Sequence, residues 1–293
     1  MPTLKREAAD RFLELCDTMT KLRERDGCPW DREQTVKTLR SYLLEEAHEV
    51  LDVLDALDDD GGGARVADHR DELGDLMLQI VFQSEIQREA GRFDVGDVCA
   101  AINAKLVRRH PHLFGGAEPR QDWEALKRKE RAAKGPEEAV VASALDGVPK
   151  NLPALLRAYR TGEKARGAGF DWPTHEGVID KIEEELGEIE EAIASADDPL
   201  RKERIESEIG DLLYAVTNLA RHFEIDAEGA LRKTIARFES RFRVVEQLLA
   251  DEGKTPEKTQ LDELEEKWQR AKKLLAERAA AAPLKSDGGA NGA

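Results

Sequence analysis

Cysteine is scarce in this chain: Cys16, Cys28 and Cys99 are all it has in 293 residues. Thiols so few and so scattered exclude a disulfide framework or a zinc knuckle, both of which need paired or clustered cysteines. Long apolar runs are missing too. No stretch approaches the ~20 residues of a membrane span, and the charged N-terminus does not read as a signal peptide, so a cytoplasmic protein without membrane association is expected. Basic charge is in deficit: 45 Lys and Arg face 61 Asp and Glu, a net charge of −16. A general nucleic-acid binder needs the opposite excess to displace counterions from phosphates, and no nucleic-acid partner is expected. Small anionic ligands stay open, because a metal or a few local cations can reverse the field at one site. Aromatic residues make up only 5% and β-branched runs are sparse. What remains is dominated by Ala, Leu, Glu, Lys and Arg, which lose little entropy in a helix, so the fold class is all-α. No glycine-rich phosphate loop, Rossmann fingerprint or Ser-His-Asp order is present.

Helical periodicity runs through most of the chain. In the first half it predicts helices over about 4–25, 38–57, 65–89, 95–109 and 122–133. Phe12, Leu15, Met19 and Leu22 share one face of the first, and the third carries Leu73, Leu76, Ile80 and Phe82. Gly27-Cys28-Pro29-Trp30-Asp31 separates the first two, and the Asp58–Gly63 run ends the second. The expected organisation is a first helical repeat over 1–134, a linker over 135–152, a second repeat over 153–279 and a disordered Ala/Gly-rich tail over 280–293.

The second half repeats the plan of the first. Gly169-Phe170-Asp171-Trp172 answers Gly27-Cys28-Pro29-Trp30, and Glu184-Glu185-Leu186-Gly187-Glu188 answers Glu45-Glu46-Ala47-His48-Glu49. Glu208-Ile209-Gly210-Asp211 answers Glu72-Leu73-Gly74-Asp75. The spacing shrinks steadily, from 142 residues between Gly27 and Gly169 to 136 between Glu72 and Glu208 and 132 between Lys105 and Arg237. Duplicated helices joined by shortened loops give that drift.

In each half one helix offers E-E-x-x-E and the next offers E-x-x-D. Residues three and four apart share a helix face, so Glu46 points with Glu49, and Glu72 with Asp75. Glu49 lies about ten residues before the glycine turn and Glu72 about ten after it, or about 15 Å from the bend at ~1.5 Å per residue. A hairpin brings them level. Glu188 and Glu208 are likewise nearly equidistant from Asp197-Asp198-Pro199. Carboxylates that converge repel one another unless protonated or neutralised, and a hard, oxygen-seeking cation such as Mg²⁺ is the natural neutraliser. One acidic run alone is an ordinary solvated helix face; the paired and duplicated pattern is not. A di-iron bundle would use E-x-x-H, which Glu45 and His48 supply once, but Gly187 replaces the histidine in the second half. From another class, a helical interaction module could use the acids to bind partners or structural ions.

Together with the G-C-P-W-D run, the R-R-H-P-H-L-F run after the fourth helix and the duplication itself, these motifs resemble the MazG-type nucleoside triphosphate pyrophosphohydrolases in their two-repeat form, from Leu4 to about Leu275. The resemblance implies two tandem all-α helical bundles, a homodimer and Mg²⁺ dependence, with Mn²⁺ expected to substitute. It implies hydrolysis of nucleoside triphosphates, ribo or deoxy, to the monophosphate and pyrophosphate, and broad base tolerance is expected. Metal ligands are implied at Glu185, Glu188, Glu208 and Asp211, and in the first repeat at Glu46, Glu49, Glu72 and Asp75. Nucleotide contacts fall on Lys181, Arg204, Ser207, Arg237, Arg241 and Trp268. Arg204 stands where the family often has Lys, and Ser207 where it has an acid. Glu184 or Glu185, whichever is less engaged by metal, is expected to orient or deprotonate the attacking water.

Arg237 and Arg241 are four apart and can grip a polyphosphate from one helix face. Trp268 follows Leu261 and Leu264 at helical spacing, so core packing competes with base stacking for it. Trp30 and Trp172 read as anchors that pin loops to the bundle. Opposite Lys181, Arg204, Arg237 and Arg241 the first half is expected to place Ser41, Asp68, Lys105 and Arg109. A triphosphate carries about four negative charges, so the cation-rich second repeat is expected to be the main catalytic half.

Overall fold

The computed structural model of the chain describes residues 2–57, 65–115 and 143–281. Among them every regular element is helical and there is no strand. The chain divides into two compact units, Met1–Glu138 and Ala139–Ala293.

The first unit holds α1 (Pro2–Arg23), α2 (Pro29–Glu33), α3 (Arg40–Leu54), α4 (Val66–Glu89), α5 (Val95–Arg109) and α6 (Pro111–Phe114). The helix expected over 122–133 and the turn at Asp58–Gly63 lie outside the described residues, as do 135–142 of the expected linker and 282–293 of the expected tail. α3 packs along α4, and α1 covers α4. Their core is Met19, Leu39, Val81 and Phe82, with Phe12, Leu15 and Leu22 packed around it. The α1 face read from the sequence is therefore the buried one. On α4 the apolar positions divide: Phe82 is buried, whereas Leu73 and Ile80 are 44% and 46% exposed. α4 is apolar on two sides, and periodicity does not say which side meets α1. α5 opens on a reciprocal cap, in which the Asp94 carboxylate accepts from the Asp97 amide and the Asp97 carboxylate from the Asp94 amide. That arrangement satisfies two otherwise orphaned donors.

The second unit holds α7 (Ala154–Gly167), α8 (Glu176–Ala194), α9 (Arg201–His222), α10 (Ala227–Ala250) and α11 (Leu261–Ala281). α8 and α9 form its central pair, α7 lies against α9 and α10, and α10 pairs with α11. Val245, Leu249 and Ala271 are buried between the last two. The α8–α9 turn is held by Asp198, whose carboxylate accepts from the Leu200 amide at 2.9 Å.

One packing detail places the acids. Val178, Glu185 and Ala192 are buried, and they recur every seventh residue along α8. Leu39, Glu46 and Val53 recur identically in the first unit, 139 residues earlier, and Leu39 and Val53 are buried there. Residues seven apart return to the same helix face, so each unit threads a glutamate into the apolar stripe that its helix turns toward its neighbour. A second stripe faces outward. Leu73, Met77 and Ile80 on α4, like their counterparts Ile209, Leu213 and Val216 on α9, are all exposed in the single chain. No described helix is long and apolar enough to cross a membrane.

Candidate active site

The two helical pairs bring acids together as their spacing implies. Glu185 of α8 and Glu208 and Asp211 of α9 place one carboxylate oxygen each within 4.8 Å of one another, and Glu46, Glu72 and Asp75 do the same in the first unit. Glu49 and Glu188 stand beside these triads rather than inside them. Glu188 is close enough to Glu185 and Glu208 to feel both; its carboxyl is pushed above the ordinary range by desolvation, then by those two acids. Glu46 is raised by desolvation and by Asp75 and Glu49, and Glu72 by desolvation and by Glu49 and Asp75. Each cluster thus holds more negative charge than its surroundings offset.

Glu185 is the most buried of these acids, and its Oε2 has no hydrogen-bond partner. Its Oε1 meets Lys181 Nζ at 2.8 Å, and the same ammonium donates to Glu184 at 2.8 Å. Lys181 is correspondingly raised, first by Glu184 and then by Glu185. Glu184 itself points outward, with 58% of its side chain exposed. An oxygen-only donor set with one buried, unpartnered oxygen and too much negative charge fits Mg²⁺, whose ligands are hard oxygens. His48 has no place in such a set: its Nδ1 bonds the Leu44 carbonyl of its own helix at 2.7 Å.

The other cations are placed differently. Arg204 stands one turn before Glu208 on α9, but its guanidinium reaches Asp198 in the α8–α9 turn at 3.3 Å. Ser207 is exposed beside it. Arg237 donates to the Thr234 hydroxyl at 3.0 Å, and Arg241 lies over the Trp268 ring at 5.9 Å. Trp268 also meets Phe238 at 5.1 Å and packs against the Val245–Leu249–Ala271 core, so it serves the α10–α11 pair as well as offering a face. Six sequence-selected residues therefore form two groups: Lys181, Arg204 and Ser207 on α8–α9, and Arg237, Arg241 and Trp268 on α10–α11. Among the described residues no hydrogen bond or ion pair joins the groups within one chain.

The first unit's cation deficit stands, with one correction. Lys181 lies four residues before Glu185, and the residue four before Glu46 is Tyr42, not Ser41. Tyr42 packs against the first unit's core and meets Trp30 edge-on at 5.7 Å. Asp68, opposite Arg204, is paired with Arg65 at 2.9 Å.

Sequence reasoning missed one buried polar constellation. Arg221 at the end of α9 is 4% exposed; it donates to Asn218 at 2.7 Å and to Asp171 at 2.5 Å, with His222 3.4 Å from the same carboxylate. Burial pushes the Asp171 carboxyl up, but Arg221 and His222 outweigh it and hold it below its ordinary value. Only the Asp of the G-F-D-W run hinted at it; an arginine in a helix's last turn gives no sign of being buried.

Comparison with known proteins gives the same two-part layout. Residues 34–114 and 173–245 each match the MazG nucleotide pyrophosphohydrolase domain. The chain is 43% identical over 271 residues to a nucleoside triphosphate pyrophosphohydrolase of Escherichia coli, covering 90% of this chain and 97% of that one. It is 40% identical over 269 residues to the Thermotoga maritima nucleoside triphosphate pyrophosphohydrolase/pyrophosphatase MazG, covering 91% and 98%. The uncharacterized Bacillus subtilis protein YabN is 33% identical over 275 residues, 93% of this chain but 54% of its own.

Proposed function

Because this chain belongs to the MazG nucleotide pyrophosphohydrolase family, we propose that it hydrolyses nucleoside triphosphates to the monophosphate and pyrophosphate, with Mg²⁺ as cofactor and broad tolerance of the base. The observation that carries this reading is the second unit's acid triad with Lys181 at its edge. Glu185, Glu188, Glu208 and Asp211 would hold Mg²⁺, or Mn²⁺ in its place, and Glu46, Glu49, Glu72 and Asp75 would hold it in the first unit. When bound, the ion supplies charge neutralisation on the phosphates and a more acidic water.

The chain's own groups do the rest. Lys181 is one swing away from a phosphate, since its ammonium already stands between Glu184 and Glu185. Glu184 is the carboxylate least engaged with the cluster and the better placed to take a proton from a water approaching the α-phosphorus. Attack there forms the P–O bond of the monophosphate and breaks the α–β bridge, and pyrophosphate leaves with the electron pair. Arg204, Arg237 and Arg241 would steady its charge, Ser207 would offer a hydroxyl to the phosphates, and Trp268 a face for the base. We read the second unit as the main catalytic half, and a homodimer as the form that covers the outward stripes. The substrate set contains no nucleic acid, and the expected compartment is the cytoplasm.

The test is product analysis. Each common triphosphate, ribo and deoxy, is incubated with a Mg²⁺ series, and monophosphate plus pyrophosphate is the expected outcome. Diphosphate plus orthophosphate, or no turnover at any Mg²⁺ level, overturns the reading. A scaffold whose acids only bind partners gives the second result.

A further inference from the structure

The buried Arg221–Asp171 pair lies at one end of the α8–α9 pair, away from the acid triad. Arg221 stands ten residues after Asp211 on α9, about 15 Å along the helix at ~1.5 Å per residue. It is nonetheless closely built. α7 passes it with Gly162, where a Cβ would come within 3.0 Å of Arg221 Nε and 3.3 Å of Asn218 Oδ1. Asp171 is fixed further by accepting from the Trp172 amide at 3.0 Å. Trp172 in turn lies on the first turn of α8: a Cβ on Gly177 would sit 2.5 Å from its Cδ1 and 3.3 Å from its Cγ and Nε1. Gly177 and Lys181 are four residues apart and share a helix face. Helical side chains lean back over the preceding turn, so the Lys181 stem would by default lean toward Gly177, the residue over which the Trp172 ring lies.

We infer that Arg221, Asp171 and Trp172 act as positioning residues for Lys181: the buried ion pair fixes the tryptophan over Gly177, and the ring closes the backward lean of Lys181 and aims its ammonium at the acid cluster. The inference rests on the reading of Lys181 as a phosphate-binding residue. It accounts for features that anchoring a loop does not require. Buried ion pairs are poor sources of stability but hold geometry. In the first unit the residue 136 before Arg221 is Glu85, paired with Arg88 at 2.6 Å. There Trp30 sits among core rings, edge-on to Tyr42 and to Phe82, and no glycine lies between Trp30 and Glu46. The first unit also buries an arginine in an ion pair, Arg23 with Glu89 at 2.7 Å, but among the described residues no tryptophan there lies over a helix glycine, and that repeat has no lysine at the position of Lys181.

The test measures Mg²⁺-dependent pyrophosphate release and thermal unfolding in Asp171→Asn, Gly177→Ala, Lys181→Ala and the doubles Asp171→Asn/Lys181→Ala and Gly177→Ala/Lys181→Ala. Gly177→Ala favours the helix itself, so a loss there reports the displaced ring. Lys181→Ala is expected to raise KM about 10–100-fold, the worth of a charge-assisted hydrogen bond. Asp171→Asn and Gly177→Ala should each raise KM about 3–10-fold with kcat within about twofold, because the contact affected is in place before the chemistry. In the Lys181→Ala background neither should raise KM further, as expected of residues that act through a shared partner. The proposal is overturned if the single variants leave KM unchanged, or if their effect persists without Lys181. A Lys181→Ala protein with wild-type KM instead overturns the assignment of Lys181, and no pyrophosphate release from any protein overturns the activity itself.

Discussion

Glu46 and Glu185 occupy the middle of the stripes Leu39–Glu46–Val53 and Val178–Glu185–Ala192, where an apolar side chain would pack without electrostatic cost. A carboxylate in such a place, beside two or three others, is tolerable only with a counter-charge. Glu185→Gln and Asp211→Asn should therefore lower Mg²⁺-dependent turnover on the order of a hundredfold or more while circular dichroism stays unchanged. Their metal-free melting temperature should equal or exceed wild type, and the melting-temperature rise on adding Mg²⁺ should shrink. Wild-type turnover at limiting Mg²⁺ in both would remove these residues from the site. The raised carboxyls of Glu46, Glu72 and Glu188 give a pH prediction. A carboxyl raised in the folded state contributes stability below its unfolded value and loses it as pH climbs through the folded one, so the metal-free clusters destabilise the protein increasingly above the ordinary carboxylate range. Mg²⁺ must displace those protons. Just above the ordinary carboxylate range its binding heat should differ between buffers of unequal ionisation enthalpy, and the difference should fade as pH climbs further. Equal heats throughout would mean that no proton leaves. The acids were legible in the sequence because spacing alone puts them on shared faces. Arg221 was not, because its burial depends on Gly162 and Asp171, 59 and 50 residues away.

At the level of helices, periodicity located α1, α3, α4 and α5 to within a few residues, since each keeps one apolar face over several turns. It left open which face of α4 is buried, because that helix has two apolar sides. The α10–α11 pair shows a different limit. Arg237, Arg241 and Trp268 are selected by residue type, yet only the fold shows that Arg241 and Trp268 hang together with Phe238 and the Val245–Leu249–Ala271 core, apart from Lys181, while Arg237 donates to Thr234 on the same helix. Leu249 is fully buried there. Leu249→Ala should cost about 2–5 kcal/mol by urea unfolding, the range for emptying a packed core site. It should also raise KM for triphosphate if this pair presents a substrate surface. A full loss of stability with unchanged KM would remove Arg241 and Trp268 from the nucleotide site and leave Lys181 untouched.

For the whole molecule, the outward stripes Leu73–Met77–Ile80 and Ile209–Leu213–Val216 leave apolar surface in both units that helices of a second copy can cover. Light scattering is expected to give twice the 32.7 kDa of one chain at micromolar concentration, and a monomer mass would contradict it. Which half does the chemistry is a separate question, and the acids do not decide it, because both units assemble the same triad. The cations do. Lys181 touches the second cluster directly, whereas Tyr42 at the matching place is turned into the core, and Asp68 adds a negative charge where Arg204 adds a positive one. A triphosphate brought to the first cluster meets about as much negative charge as it carries, with metal and only Lys105 and Arg109 of the four matching positions to offset it; at the second, four fixed cations share the task, which is where phosphoryl-transfer sites obtain most of their stabilisation. Two proteins separate the halves: Glu49→Gln/Asp75→Asn and Glu188→Gln/Asp211→Asn, compared for pyrophosphate release at saturating Mg²⁺ and triphosphate. The first should keep most of the wild-type rate and still dimerise, and the second should fall on the order of a hundredfold or more. The reverse pattern would place the chemistry in the first unit and leave Lys181 as a surface ion pair. Equal partial losses would mean two working sites, one of which binds triphosphate without a lysine at the position of Lys181.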